Sequence, residues 1–76
     1  MKNLVAFIAR CLVRDPAAVE VSEVNDGRDR IIRLQVAEGD KGKVIGKEGR
    51  TAKAIRTVLA VASARQGARA KLDIAD

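Results

Sequence analysis

Gly46 and Gly49, separated by Lys47 and Glu48, are the residues in this chain whose type and spacing point most directly to chemistry, and the chemistry is anion binding. A glycine has no Cβ, so an oxyanion can come close to its backbone. Residues 41–56 surround the pair with Lys41, Lys43, Lys47, Arg50, Lys53 and Arg56 against Glu48 alone, a net charge of +5. The rest of the 76 residues holds nine basic and nine acidic side chains and is neutral. All of the surplus charge thus lies beside the glycines, where a positive potential favours a polyanion over a small neutral ligand. A solvated helix face carrying lysines for solubility is the plain alternative reading of the same charge.

Other glycine motifs fail on spacing. A P-loop places its first glycine five positions before the Gly-Lys pair and follows the lysine with Ser or Thr. Here Gly42 precedes Gly46 by four, and Glu48 stands where the hydroxyl would hold magnesium. A dinucleotide fingerprint needs a glycine two before Gly46, and that position is Val44. Several catalytic classes are excluded by composition. The chain has no His and a single cysteine, Cys11, so one chain can build neither a zinc site nor a Ser-His or Cys-His pair. No metal, cofactor or enzymatic activity is expected. Cys11 lies among Ile8, Leu12 and Val13 and reads as a small core residue.

The elements that must position the loop follow from periodicity. Leu4, Ile8, Cys11 and Leu12 recur at helical spacing, which predicts an amphipathic helix over 3–13 ended by Pro16. Val19 and Val21 alternate with Glu20 and Ser22, predicting a strand over about 18–24, although the alternation slips at Glu23-Val24. Asn25-Asp26-Gly27 signals a hairpin turn. Ile32, Leu34 and Val36 then share one face of a second strand, with Ile31, Arg33 and Gln35 on the other. Asp40 is placed to cap a short helix over Lys41–Ile45. A longer helix over about 50–65 carries Ala52, Ile55, Leu59 and Ala62 on one face and stops at Gly67. Ala70, Leu72 and Ile74 alternate in a last strand. The order is α-β-β-α-α-β, an α+β class, in one domain over 1–76.

Val44-Ile45-Gly46-Lys47-Glu48-Gly49-Arg50, an apolar pair and a G-x-x-G turn ahead of an apolar-faced helix, resembles the mark of the KH family. The element order resembles the type II arrangement, and the likeness covers the chain, most strongly at 29–76. A single short KH domain looks like the small bacterial KhpA-type RNA-binding proteins. The resemblance implies a three-stranded sheet packed on one side by three helices, and a groove for about four nucleotides of single-stranded RNA clamped by the loop. It implies RNA contacts from Lys43, Val44, Ile45, Gly46, Lys47, Glu48, Gly49, Arg50, Lys53 and Arg56, with Val44 and Ile45 as an apolar floor that is half core and half groove. An adjacent strand would form the other wall, adding Arg33 and Ile31. The physics is direct, because the helix starting near Arg50 turns its free N–H groups and the positive end of its dipole toward the loop. Glu48 departs from a basic or neutral loop residue, so it should weaken phosphate binding slightly and salt-bridge a neighbour. A tight helix–helix turn that binds nothing is the bland reading of the two glycines.

Phe7 is the only aromatic residue, which disfavours folds that stack bases on several aromatic rings. Three strands and the glycine loop argue against a helix-turn-helix DNA reader. The expected function is non-catalytic binding of single-stranded RNA, as a post-transcriptional or ribosome-related RNA chaperone or regulator. Two alternatives stay open: a dimerising adaptor, suggested by the weakly charged helix from Val58 to Ala64, and a binder of single-stranded DNA. The family likeness implies pairing with itself or with a second KH-containing protein. The apolar start, Met1 to Ile8, is soon broken by Arg10 and lacks a small-x-small cleavage site before Arg14-Asp15-Pro16. The expected location is therefore the cytoplasm, without membrane contact.

Overall fold

In the computed structural model a helix α1 (Lys2–Leu12) is followed by strands β1 (Glu20–Asp26) and β2 (Asp29–Gln35), a short helix α2 (Lys41–Ile45), a long helix α3 (Arg50–Ala64) and strand β3 (Arg69–Ile74). It describes residues 1–75; Asp76, the last residue of the domain expected from the sequence, lies outside the described residues. Single 3-10 turns occupy Pro16–Ala18, Glu38–Asp40 and Lys47–Gly49. The sheet runs β1-β2-β3, with β1 antiparallel and β3 parallel to β2. The three helices cover one face. This is the expected α+β, type II KH-like architecture.

The core is the layer between sheet and helices. Ile32 and Leu34 from β2, Val5 and Ala9 from α1, Val44 from α2, Ile55 and Leu59 from α3 and Leu72 from β3 form it. Each fully buried Ile or Leu contributes roughly 1.5–3 kcal/mol. Among the described residues no helix is long and apolar enough to cross a membrane.

Several local expectations need correction. Cys11 is exposed, not core. The buried stripe of α1 runs through Val5, Ala6 and Ala9, while Leu4 and Ile8 only flank it. Cys11 is two turns from Leu4 and shares its azimuth to about 20°, so it falls on the outer edge of the stripe. The slip at Glu23-Val24 is not a backbone defect, because pairing with β2 continues unbroken through Glu23↔Ile32 and Val24↔Ile31. The pleat simply sends Val24 outward, at 57 % exposure, and turns half-buried Glu23 toward the helical side, in a shallow recess with Met1–Asn3. The hairpin closes through Gly27–Arg28 with Gly27 at φ 62°, the first-position glycine of a type II′ turn.

Asp40 occupies the N-cap position of α2 but does not cap it. Its φ of −104° and ψ of −4° are helical, whereas a capping side chain needs extended backbone. The buried carboxylate instead accepts the Asp15 N–H at 3.1 Å, tying the α1–β1 connection to the start of α2. The end of α3 is a Schellman motif: Ala68 N–H donates to Ser63 O and Gly67 N–H to Ala64 O, with Gly67 at φ 68°. Ser63, not Ala62, is the buried residue of that turn. Its hydroxyl donates to Ala60 O at 3.2 Å and accepts the Ala70 N–H at 3.3 Å, joining α3 to the first residues of β3.

Candidate nucleic-acid interface

The loop is built by two helix ends meeting across two glycines. α2 stops at Gly46, whose φ of 78° and ψ of 173° lie in a region open only to glycine. Gly46 N–H still donates to Gly42 O at 2.8 Å, and Gly49 N–H donates to Gly46 O at 3.1 Å, closing the turn on itself. Glu48 (φ 58°) and Gly49 (φ 74°) are both left-handed, and α3 starts at the next residue. No side chain caps that helix among the described residues, so its positive end faces whatever lies over the loop.

The two glycines are glycines for different reasons. A Cβ on Gly46 would strike Thr51, lying 2.7 Å from its Cβ and 2.8 Å from its backbone nitrogen. A Cβ on Gly49 would meet nothing within 4 Å. Gly46 therefore packs the loop against the first turn of α3, and Gly49 leaves open surface. Thr51 is a supporting residue that sequence reasoning missed, since a Thr one place into a helix carries no signal of a neighbour five positions back.

Most of the expected site residues gather here. Lys43, Lys47, Arg50, Lys53 and Arg56 are exposed around the loop and along the first half of α3. Lys43, Lys47, Lys53 and Arg56 make no ion pair among the described residues. Arg50 is paired with Glu48 at 3.1 Å, and both side chains are well exposed. Lys41 pairs with Glu38 at 3.2 Å and is withdrawn from the free charge.

Two expectations change. Val44 is 0 % exposed, so it supports α2 from the core and offers nothing to a groove; Ile45, 40 % exposed, is the apolar surface beside the loop. The reason is helical geometry: in a single short helix two adjacent positions point about 100° apart, so only one can face the core. Arg33 and Ile31 lie on the sheet face opposite the buried Ile32 and Leu34, away from the helices. Arg33 there pairs with Asp73 at 3.2 Å and does not join the loop cluster. Among the described residues no group of three or more His, Cys, Asp or Glu is placed to hold a metal ion. Among the described residues the arrangement offers oriented N–H groups, open backbone, four unpaired cations and the exposed Ile45 side chain, groups of the kind that can hold phosphate oxygens.

The model of the family described as KhpA/KhpB, KH domain, matches residues 2–74. The chain is similar to the RNA-binding protein KhpA of Halalkalibacterium halodurans, 53 % identical over all of both chains. It is 49 % identical to the RNA-binding protein KhpA of Clostridium acetobutylicum, over 97 % of this chain and 99 % of that one. The RNA-binding protein KhpA of Chlamydia trachomatis is 46 % identical, over 97 % and 95 %. No solved structure gives a significant match.

Proposed function

Because this chain belongs to the KhpA/KhpB KH-domain family, we propose that it binds single-stranded RNA at the Gly46–Gly49 loop, without catalysis. The observation that carries the reading is the open backbone at Gly49, set at the uncapped start of α3 among free cations. Phosphates rest against the loop, held by Lys43, Lys47, Lys53 and Arg56, with Arg50 released from Glu48 when a phosphate arrives. Ile45 supplies the apolar surface for a base. The family is not an enzyme family, and the loop holds no nucleophile–base pair. A role as an RNA chaperone or regulator, in the cytoplasm, is part of the same proposal; cations that contact phosphates read no base identity, which supports low sequence specificity.

About four nucleotides fit such a site, so some 3–4 phosphates are contacted and log K falls with log salt at a slope of about −2 to −3. Lys47→Asp combined with Glu48→Asp should abolish binding of a short RNA in a gel shift while the circular dichroism melt stays cooperative. Undiminished affinity in that folded variant removes the loop as the site. Matched RNA and DNA oligomers decide whether the 2′-OH is used.

A second reading is favoured by one further observation. Val58 and Val61 are 45 % and 58 % exposed on α3, in a shallow recess shared with Thr57, Ala62, Arg65 and Gln66. A domain of this size leaves much apolar surface uncovered, and a two-fold packing of α3 on α3 would bury these valines in a second copy or in another KH-containing protein. Sedimentation of wild type and Val61→Glu across concentration tests it: a wild-type monomer at all concentrations removes the pairing.

A further inference from the structure

The one aromatic side chain of this protein stands on its outside and takes no part in the core. Phe7 is two positions from both Val5 and Ala9, the buried residues that set α1 against the sheet. Two positions turn a helix by about 200°, so the ring points away from the core. It is 66 % exposed. Asn3, Arg10 and Cys11, at helical spacing from it, are exposed beside it. Residues 1–14 carry Lys2, Arg10 and Arg14 and no acidic side chain. Arg10 and Arg14 make no ion pair and no side-chain hydrogen bond among the described residues. Glu23 shares a recess with Met1–Asn3 at one end of α1, and Asp15 follows Arg14 beyond the other.

This face adjoins the loop. α1 lies against α2, and the Asp15 N–H donates to Asp40 at 3.1 Å, which pins the chain just after α1 to the start of α2. α2 is five residues long, about 8 Å, and the loop follows it directly. The chemistry of the face suits a nucleic-acid strand. A guanidinium presents a planar fork to a phosphate, and an aromatic face stacks on any base. One ring beside one guanidinium is enough to seat one base, whereas a specific protein interface covers about 800 Å² on each side. Cations without an acidic neighbour on the helix favour the polyanion.

We propose that the outward face of α1 is a second RNA contact, in which Phe7 stacks on a base and Arg10 and Arg14 hold phosphates beside it. It rests on the loop reading above for the first four or so nucleotides of the strand. A strand of about twelve nucleotides is about 41 Å long even at a stacked rise of about 3.4 Å per nucleotide, more than the longest extent of the molecule, 35 Å. A strand of about four, about 14 Å at the same rise, is taken up at the loop. The ring stacks on every base alike, so the added contact raises affinity for longer strands without fixing their sequence.

The experiment measures affinity for RNAs of these two lengths across salt, in wild type, Phe7→Ala, Phe7→Leu and Arg10→Gln. Phe7→Ala should bind the longer RNA about tenfold more weakly, as for one lost stack, with the salt slope unchanged because the ring carries no charge. Phe7→Leu, which keeps an apolar side chain without a π face, should lose nearly as much. Arg10→Gln should flatten the slope for the longer RNA by about 0.7. All three should bind the short RNA within about twofold of wild type and keep a cooperative melt, since both side chains are exposed. Phe7→Trp should keep the affinity, and its indole fluorescence should be quenched by the longer RNA and not by the short one. Full affinity for the longer RNA in Phe7→Ala overturns the proposal and leaves this face to an acidic protein. So does full affinity in Phe7→Leu, equal loss at both lengths, or indole fluorescence in Phe7→Trp that the longer RNA leaves unaltered. The loop variant Lys47→Asp/Glu48→Asp keeps the two readings apart. If it still binds the longer RNA and Phe7→Ala removes that binding, the loop reading falls and the α1 surface stands. If it loses all binding while Phe7→Ala binds as wild type does, the α1 surface falls and the loop stands.

Discussion

Replacing each loop glycine by alanine should give two different failures, because the structure gives the two positions different constraints. At Gly46 the backbone sits at φ 78° and ψ 173°, where any side chain costs about 1–3 kcal/mol. The new Cβ also meets the Thr51 Cβ and backbone nitrogen at 2.7 and 2.8 Å. Overpacking of that kind adds about 1–3 kcal/mol, and the backbone of α3 cannot give way as a side-chain tip would. A total of about 2–6 kcal/mol stands against a stability of about 4–11 kcal/mol for a chain of this length. At Gly49 the conformation is ordinary left-handed helical, costing an alanine about 1–2 kcal/mol, and its Cβ meets nothing. At about 4–8 °C per kcal/mol, Gly49→Ala should melt about 4–16 °C below wild type and fold at 25 °C. Gly46→Ala should melt substantially lower still or fail to fold, and Thr51→Ala should not rescue it, since the Cβ and nitrogen remain. Folded Gly49→Ala should nonetheless bind short RNA about tenfold more weakly, because its methyl group occupies the surface a phosphate would reach. Thermal melts followed by circular dichroism, with RNA titrations below the melting point, read both quantities. Equal melting points for the two variants would refute the packing argument, and unaltered RNA affinity in Gly49→Ala would refute the placement of the strand.

Three other outcomes follow from single contacts. Glu48→Gln frees Arg50 from an exposed ion pair worth about 0–1 kcal/mol, so RNA affinity should rise about two- to fivefold with the melting point nearly unmoved; a fall in affinity would show that the carboxylate helps binding. Asp40→Ala strands the Asp15 N–H in a part-buried place, costing about 1–3 kcal/mol, whereas Asp40→Asn keeps an acceptor and should lose less in a denaturant titration. Cys11 should react with a thiol reagent in the native state at the rate of an exposed cysteine, and Cys11→Ser should change stability by less than about 0.5 kcal/mol.

The chain's local patterns carried most of what positions the loop. Alternation in 31–36 and 70–74, the hairpin glycine, the stop at Gly67 and the G-x-x-G spacing beside the cations are properties of neighbouring residues, and backbone geometry turns them directly into strands, turns and helix ends. What tertiary packing decided was which azimuth of each helix met the core and which distant charges met one another. Val44 became inaccessible and Ile45 open because the core lay on one side of α2. Cys11 faced outward because the stripe of α1 was centred on Val5 and Ala9. Asp40 turned from a cap into a partner for Asp15, and Arg33 left the site for Asp73. The pairing of Asp29 with Arg69 and Lys71 was invisible along the sequence, since most of β2, α2 and α3 lie between them. A charge count records composition, while a potential depends on distances, and those exist only once the chain is folded.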